Sequence, residues 1–355
     1  MKTKRTAVLF TPKYLDHNPG PNHPESPDRL RAIMKELRKS GFLESGRCSL
    51  IEPEPASVDD VELVHEADYV QLVERYCSYG GGLLDLGDTA VSPESYETAL
   101  YAVGGAIRAV DLVMSRKFQN AFALVRPPGH HAGPNYAMGF CLFNNVAIAA
   151  VRLLRDFNLD RLLILDVDAH HGNATQEIFY EADRALYVSL HQDPTSFPGT
   201  GFVDEVGKGK GLGYTVNIPL PYRTDDQAYL KAFNHIVLPI IRQYEPQFIL
   251  VSTGFDGHYT DPVAGLSLSA SAYLKIFERV LNLASQLCMR KTAAVLEGGY
   301  SLSFLGKMAT CAIGRMAGIP ATMRDKHSVA APEIRRQAEK IIEEVERIQS
   351  RFWDL

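Results

Sequence analysis

Short apolar runs alternate with amphipathic segments of helical length along most of the chain. Several runs are rich in Val, Ile and Leu and show little alternation of polar and apolar positions. These strand candidates occupy residues 6–10, 121–125, 161–169, 185–190, 214–220, 247–253 and 292–299. Helical periodicity is clearest over residues 92–115, 143–157, 225–244 and 269–288. Continuous apolar runs are typical of strands buried on both faces, so the pattern predicts an α/β fold with a mainly parallel central sheet flanked by helices.

No linker-like change of composition divides the 355 residues, and we expect residues 1–355 to form a single domain. Towards the end, residues 332–352 carry an apolar stripe at helical spacing. The stripe comprises Ile334, Ala338, Ile341, Val345, Ile348 and Phe352. It predicts an amphipathic helix that packs on the body of the protein, with a contact between two copies of the chain as the alternative.

Composition argues against several classes of partner. A formal net charge of −5 and a pI near 6.1 argue against nucleic-acid binding, because such binding needs a basic surface. No apolar run approaches the roughly 18 residues of a membrane span, so no membrane partner is expected. The five scattered cysteines include no CxxC pair, which is typical of free thiols in a reducing compartment. We therefore expect a cytoplasmic protein, and its compact size suggests a prokaryotic one.

Polar residues of chemically active types follow four of the predicted strands. In chain order these residues are His130 and His131, then Asp166, Asp168 and His170, then Asp256, and last Tyr300. Each group alone has an ordinary explanation, such as a turn, a cap or a buried hydrogen bond. In an open parallel sheet, however, ligands bind beyond the carboxyl ends of the strands. Four such groups at one edge of the sheet therefore predict a functional site.

Three of these residues form a candidate metal site. Asp168 and His170 are two positions apart, so in an extended strand their side chains point to the same side. Asp256 from another strand end would complete a set of two carboxylates and one imidazole. Three protein ligands and one open position are typical of catalytic zinc, while oxygen-rich ligation also admits Fe²⁺, Co²⁺ or Mn²⁺. By the same alternation, His171 should point away and play a structural part.

The residues stand in motifs that resemble the zinc-dependent histone deacetylase family, which includes bacterial histone deacetylase-like amidohydrolases and acetylpolyamine amidohydrolases. The motifs are HPESPDRL (23–30), RPPGHHAG (126–133), GFCLFNN (139–145), LDVDAHHGN (165–173), VSLHQ (188–192), FPGTG (197–201), TVNIPLP (215–221), STGFDGHYTDP (252–262) and LEGGY (296–300). The resemblance covers about residues 5–320. It implies the arginase/deacetylase fold and the hydrolysis of acyl groups, acetyl by default, from amines.

Carried over position by position, the resemblance assigns the chemistry to individual residues. The implied zinc ligands are Asp168, His170 and Asp256. His131 would act as general base towards the attacking water and then as acid towards the leaving amine, with Asn173 as its partner. His130, held by Asp166, would support the transition state, and Tyr300 would donate a hydrogen bond to the oxyanion. Some relatives carry Asp at this position, whereas this chain resembles the class II type in having Asn173. A neutral amide still orients the imidazole, but it raises the basicity of the imidazole less than a carboxylate would.

The resemblance also implies a second ion and a substrate channel. A structural potassium ion near the zinc would be held by Asp166, Ser189 and Leu190. Phe140 and Phe197 would line a narrow channel for the acyl-lysine, and Gly139 would let the backbone approach the stem of the substrate.

Val263 bears on the choice of substrate. Acetylpolyamine enzymes of the class IIb type carry an acidic residue at this position, directly after the DP of the aspartate-ligand loop. An apolar residue does not attract a polycation, so Val263 favours an acylated lysine side chain of a protein or peptide, with acyl groups longer than acetyl left open. An acetylpolyamine or another small acylated amine is the nearest alternative.

Two further alternatives differ in kind. A catalytically silent acyl-lysine binder would lack a ligand, His131 or Tyr300, and none of these is missing. An arginase-like binuclear manganese enzyme would need additional carboxylates near Asp168, and the pair of histidines fits a mononuclear hydrolase better. The oligomeric state stays open.

Overall fold

The core of the fold is a parallel sheet of eight strands, in a computed structural model that describes residues 4–326 and 328–355. The strands are β1 (Lys4–Leu9), β2 (Cys48–Ile51), β3 (Gly82–Leu83), β4 (Ala90–Val91), β5 (Phe118–Ala123), β6 (Leu162–Asp166), β7 (Ala185–Gln192), β8 (Thr215–Leu220), β9 (Phe248–Thr253) and β10 (Thr292–Leu296). The sheet has the order β2-β1-β5-β10-β9-β6-β7-β8, with every neighbouring pair parallel. Strands β3 and β4 form a separate antiparallel pair. The predicted α/β fold with a mainly parallel sheet is confirmed.

Helices flank the sheet. They are α1 (Asp28–Lys39), α2 (Val58–Val61), α3 (Ala67–Ser78), α4 (Ser95–Met114), α5 (Asn145–Asp156), α6 (Asn173–Phe179), α7 (Asp226–Ala232), α8 (Leu238–Tyr244), α9 (Ala270–Leu287), α10 (Leu302–Ala317) and α11 (Pro332–Gln349). A π-helical turn, Phe233–Val237, joins α7 to α8, so the predicted helix 225–244 is three consecutive helical pieces. Within the described part of the chain, no helix combines the length and apolar character needed to cross a membrane.

All seven predicted strands occur, with ends that differ from the predicted ones. The run 161–169 leaves the sheet at Asp166, and the run 292–299 leaves it at Leu296. In both cases the residues beyond the strand form the loops that carry the polar groups. The edge strand β2 was not predicted, because it has only four residues, of which only Cys48 is buried, and it includes no long apolar run.

Burial explains why the strand signal was strong. Every residue of β6, β7, β8, β9 and β10 is buried, since helices cover both faces of the sheet. Because all eight strands run in the same direction, their carboxyl ends meet at one edge. The polar groups identified in the sequence therefore gather at this edge.

The helix predicted near the end of the chain occurs as α11 and packs on the body. Its buried side chains are Ala338, Ile342, Val345, Ile348 and Gln349. Ile342 takes the central place that the stripe had assigned to Ile341, which is only half-buried. Gln349 Nε2 donates to the Thr215 carbonyl oxygen at 3.1 Å, and Trp353 Nε1 donates to the Gly213 carbonyl oxygen at 3.0 Å. These contacts cover β8 at the edge of the sheet.

Candidate active site

Asp168, His170 and Asp256 bring their ligand atoms together beyond the ends of β6 and β9. One atom from each side chain lies within 4.8 Å of the other two, and all three residues are buried. The convergence was predicted correctly, but its stated cause, alternation along a strand, was wrong because β6 ends at Asp166. The residues after β6 instead form two consecutive Asx turns. Asp166 Oδ1 accepts from the Asp168 N–H at 3.1 Å, and Asp168 Oδ1 accepts from the His170 N–H at 2.9 Å.

The donor set suits a divalent cation. Asp256 Oδ2 is buried without a hydrogen-bond partner in the described chain, although His170 Nδ1 lies 2.9 Å away. Burial and the neighbouring charge of Asp168 raise the pKa of Asp256, so the second carboxylate resists ionisation without a further positive charge. A β-carbon added at Gly254 would lie 2.0 Å from Asp168 Oδ2, so this position admits only glycine. Two buried carboxylates and one imidazole fit Zn²⁺ or another first-row divalent ion.

The adjacent histidines His130 and His131 have opposite electrostatic settings. Their ring centroids are 4.0 Å apart, and His130 Nδ1 lies 3.1 Å from Asp166 Oδ2. Burial disfavours the charged form of His130, but Asp168, Asp166 and Glu297 outweigh it and raise its pKa to about 10. Burial and then the positive charge of His130 hold the pKa of His131 well below its usual range. Without a metal ion, the site therefore favours the charged form of His130 and the neutral form of His131 at neutral pH, a difference of the kind that acid–base chemistry uses.

His131 has the partner that was predicted. His131 Nδ1 lies 2.7 Å from Asn173 Oδ1, and Asn173 is the first residue of α6. Asn173 Nδ2 in turn donates to the Tyr136 hydroxyl oxygen at 3.2 Å. The neighbouring His171 is buried against Gln176 Oε1, at 3.0 Å, and Thr200, as expected of a structural residue.

A cavity of about 340 Å³ contains His131, His170 and Tyr300 in its lining. The four residues predicted to contact substrate also line it: Gly139, Phe140, Phe197 and Val263. Gly139 has a φ of +54°, and a β-carbon there would lie 2.6 Å from the His131 ring. The backbone at Gly139 therefore approaches the imidazole more closely than any other residue type would permit.

Tyr300 is held from two sides. Its N–H donates to Asp261 Oδ2 at 2.7 Å, and the Arg29 guanidinium lies 4.8 Å from the centroid of its ring. Arg29 Nε also donates to the Gly299 carbonyl oxygen at 2.7 Å. Burial raises the pKa of Tyr300 well above its usual value, so the phenol keeps its proton and can act as a donor.

The residues predicted to hold potassium are neighbours in the sheet. Asp166 of β6 pairs with Ser189 of β7, and Leu190 follows directly. Ser189 Oγ lies 2.8 Å from His191 Nδ1, and the Leu190 carbonyl oxygen accepts from the Tyr229 hydroxyl at 3.3 Å. The potassium ion itself stays a prediction.

Several supporting residues were missed by sequence reasoning. Glu25 is fully buried and binds both Arg29, at 2.9 Å, and Arg126, at 2.6 Å. Glu297 Oε2 accepts from the N–H groups of Gly129 and His130, at 2.7 and 3.2 Å. These charged residues lie in the motifs HPESPDRL, RPPGHHAG and LEGGY, and their place in these motifs could have identified them as supporting residues of the site. Asp88 lines the cavity from a loop and gave no signal.

Comparison with known proteins agrees on one family. The profile of the histone deacetylase domain matches residues 23–316. A probable deacetylase of Archaeoglobus fulgidus is 42% identical over an alignment 359 positions long, which covers 98% of this chain and 98% of that protein. A histone deacetylase-like amidohydrolase of Pseudomonas aeruginosa is 35% identical over 91% of this chain and 89% of that protein. The crystal structure of the HDA15 HD domain superimposes with a TM-score of 0.88 and 34% identity, covering 99% of this chain and 96% of that one.

Proposed function

Because the chain belongs to the histone deacetylase family and is a hydrolase that acts on amides, we propose that it removes acyl groups from lysine side chains of proteins or peptides. The observation that carries this proposal is the cavity of about 340 Å³ lined by Phe140, Phe197, His131, His170 and Tyr300. It offers apolar walls for an alkyl stem and polar groups for the amide. The acetyl group is the default, and longer acyl groups are part of the test below.

We place a zinc ion on Asp168, His170 and Asp256, with Fe²⁺ or Co²⁺ as alternatives. When bound, such an ion lowers the pKa of a water and polarises the amide carbonyl. The two carboxylates balance the charge of a divalent ion in a buried site. A structural potassium ion on Asp166, Ser189 and Leu190 belongs to the same proposal.

The protein supplies the proton transfers and the charge stabilisation. His131 Nε2 takes a proton from the attacking water and later gives one to the leaving amine, since the lowered pKa leaves the imidazole neutral and Asn173 occupies its Nδ1. His130, charged and held by Asp166, stabilises negative charge that develops beside it. Tyr300 keeps its phenolic proton and donates a hydrogen bond to the oxyanion.

Zinc binding at pH 7 is expected to release between one and two protons from the site, because His170 and part of the Asp256 carboxyl are protonated in the metal-free protein. Burial disfavours the charged form of His170, but Asp168 and Asp256 outweigh burial and raise its pKa to about 10. Only the neutral imidazole can bind a metal, so apparent affinity should fall about tenfold for each pH unit below that pKa. Calorimetric titration of metal-free protein with zinc in two buffers of different ionisation enthalpy measures the proton release. An identical heat in both buffers would contradict this protonation state.

The substrate class is tested by a panel on purified, zinc-loaded protein. Values of kcat/KM are compared for acyl-lysine peptides of several acyl lengths, acetylputrescine and acetylspermidine. We expect the acetyl-lysine peptide to be the best substrate. The alternative, a small acylated amine, has one observation in its favour: the Asp88 carboxylate at the cavity could attract a cationic amine. A higher kcat/KM for acetylputrescine or acetylspermidine would decide for that alternative.

Replacing Val263 with Glu is expected to shift this preference towards polyamines. Val263 lines the cavity and is 38% exposed, so an added carboxylate would stay solvated and the fold would tolerate it. The ratio of kcat/KM for acetylspermidine to that for the peptide should rise about fivefold at low salt, the size of a surface charge interaction near 1 kcal/mol, and the gain should shrink at high salt. Val263→Gln, similar in size but uncharged, is the control. An equal shift in both variants would refute the charge argument.

We also propose that the protein acts in the cytoplasm. All five cysteines are unpaired and buried. This arrangement is typical of a reducing compartment, where thiols persist.

A further inference from the structure

A chain of hydrogen bonds leads from His131 to the protein surface. Asn173 Oδ1 lies 2.7 Å from His131 Nδ1, Asn173 Nδ2 donates to the Tyr136 hydroxyl oxygen at 3.2 Å, and that hydroxyl donates to Glu177 Oε2 at 2.7 Å. Asn173 and Tyr136 are half-buried, and Glu177 is exposed. Tyr136, Asn173 and Glu177 line an open cleft of about 830 Å³, and none of them lines the cavity that contains His131, His170 and Tyr300. The outer end of the chain is therefore in water and the inner end is the proposed base.

The direction of every hydrogen bond in this chain follows from its last member. An ionised carboxylate accepts only, so the Tyr136 hydroxyl donates to Glu177. The phenol keeps this proton, because burial and then the bond to Glu177 raise the pKa of Tyr136. Its oxygen can then only accept from Asn173, so the amide nitrogen of Asn173 must face Tyr136. The amide oxygen of Asn173 consequently faces His131, and His131 Nδ1 must carry the hydrogen.

This direction matters because an amide has two unlike ends. If Asn173 turned over, its NH₂ group would face His131 Nδ1, which would then be the acceptor, and the proton would move to Nε2. A neutral histidine protonated at Nε2 could not accept a proton from water at that atom. The other partner of Asn173 Nδ2 is Met138 Sδ at 3.7 Å, and a thioether is a weak acceptor that holds the amide poorly. A carboxylate at position 173 has two equivalent ends and would need no such guidance.

We propose that Tyr136 and Glu177 are positioning residues that fix the orientation of the Asn173 amide and so impose the Nδ1–H tautomer on His131. The identification of Nε2 as the reacting atom rests on the proposed function. The orientation of the amide and the tautomer do not depend on it. The carboxylate of Glu177 thus acts on the base through two intervening side chains.

The first test measures the tautomer directly. Zinc-loaded protein labelled with ¹⁵N in its 11 histidines is examined by two-bond ¹H–¹⁵N correlation, and the His131 signals are identified by their loss in His131→Gln. We expect the Nδ1–H form in the unaltered protein and a mixture of tautomers in Tyr136→Phe. Glu177→Gln, which keeps the shape of the side chain but can also donate, should shift the mixture in the same direction to a smaller extent. An unchanged tautomer in both variants overturns the proposal.

The second test is a cycle of substitutions. Tyr136→Phe should lower kcat about five- to tenfold, the effect of one hydrogen bond near 1 kcal/mol, with KM changed less than about twofold. In the Asn173→Asp background the same substitution should change kcat by less than about twofold, because a carboxylate cannot present the wrong end. Tyr180→Phe is the matched control, because Tyr180 lines the same cleft but takes no part in the series of hydrogen bonds from His131 to Glu177. This variant should leave both the tautomer of His131 and kcat unchanged.

The outcomes separate this proposal from the proposed function. An equal loss of kcat in the two backgrounds would show that Tyr136 only supports the local packing, and the proposal would fail. If the tautomer responds as expected but no acylated amine is hydrolysed, the orienting role of Tyr136 and Glu177 stands and the assignment of activity fails.

Discussion

Replacing Tyr300 with Phe is expected to abolish most of the deacylation while leaving the metal in place. The phenolic hydroxyl is the proposed donor to the oxyanion, and loss of one such donor costs roughly 2–4 kcal/mol of transition-state stabilisation. The ring should stay where it is, because Asp261 holds the backbone N–H and Arg29 lies against the ring face. The loss should therefore appear in kcat rather than in KM or in the melting temperature.

The measurement is steady-state turnover of an acetyl-lysine peptide, together with metal analysis of the same sample. Tyr244→Phe is a matched control, because Tyr244 is also buried and its hydroxyl has no hydrogen-bond partner among the described residues. We expect that control to keep its activity. Turnover of Tyr300→Phe close to that of the unaltered protein would refute the role given to Tyr300.

Replacing Asp256 with Ala is expected to remove both the metal and the activity. The remaining ligands, Asp168 and His170, offer one negative charge to a divalent ion in a buried site, which leaves a net charge without compensation. The change should not unfold the protein. Burial and the charge of Asp168 raise the pKa of Asp256, so its ionised form is unfavourable in the metal-free state. Its structural contributions are one hydrogen bond from the Ala169 N–H at 3.0 Å, worth about 1 kcal/mol, and the contact of its Oδ2 with His170 Nδ1 at 2.9 Å, both beyond the strand ends and outside the hydrophobic core.

Metal content after gel filtration and the melting temperature of metal-free samples check this expectation. Metal-free Asp256→Ala should melt close to the metal-free unaltered protein, and zinc should raise the melting temperature only of the latter. Asp225→Asn is the control, since Asp225 is a buried carboxylate that caps α7 and binds Arg335 outside the site. One equivalent of zinc retained by Asp256→Ala would show that Asp256 is not a ligand.

The parts of the fold that sequence reasoning found are those whose signal is local. β6 and β9 were predicted because burial on both faces demands an unbroken apolar run, and such a run is visible in a few residues. Helix α10 was missed because Gly306 and Gly314 weaken its helical pattern. A β-carbon at Gly306 would lie 2.5 Å from the Ala32 carbonyl oxygen, so this glycine lets α10 approach α1 closely. Gly306 lowers the helix propensity of its own segment, but it permits a close contact between two helices that are distant in the sequence.

The candidate site divides in the same way. Asp168 and His170 stood out because charged and polar groups at the end of an apolar run require an explanation. Arg29 supports Tyr300 from 271 positions away, and no periodicity relates the two residues. Its burial and its bond to Glu25 exist only in the folded chain. Tyr136 and Glu177 likewise give no signal, because each is an ordinary surface residue type whose meaning depends on Asn173 between them.

The order of the strands has a consequence for the time at which the protein can first become active during synthesis. The two central strands, β9 and β10, are the last of the sheet to leave the ribosome, while β1, β2 and β5 on one side and β6, β7 and β8 on the other are made earlier. Until residue 248 has emerged, the strands already made can pair only as two separate sets, in which β5 lacks its neighbour β10 and β6 lacks its neighbour β9. Such open edges invite pairing with other chains, and closing them late favours slow folding. Strands β9 and β10 also bring Asp256 and Tyr300 to the residues of the site that are made earlier, so a chain that ends before residue 300 lacks part of the proposed site.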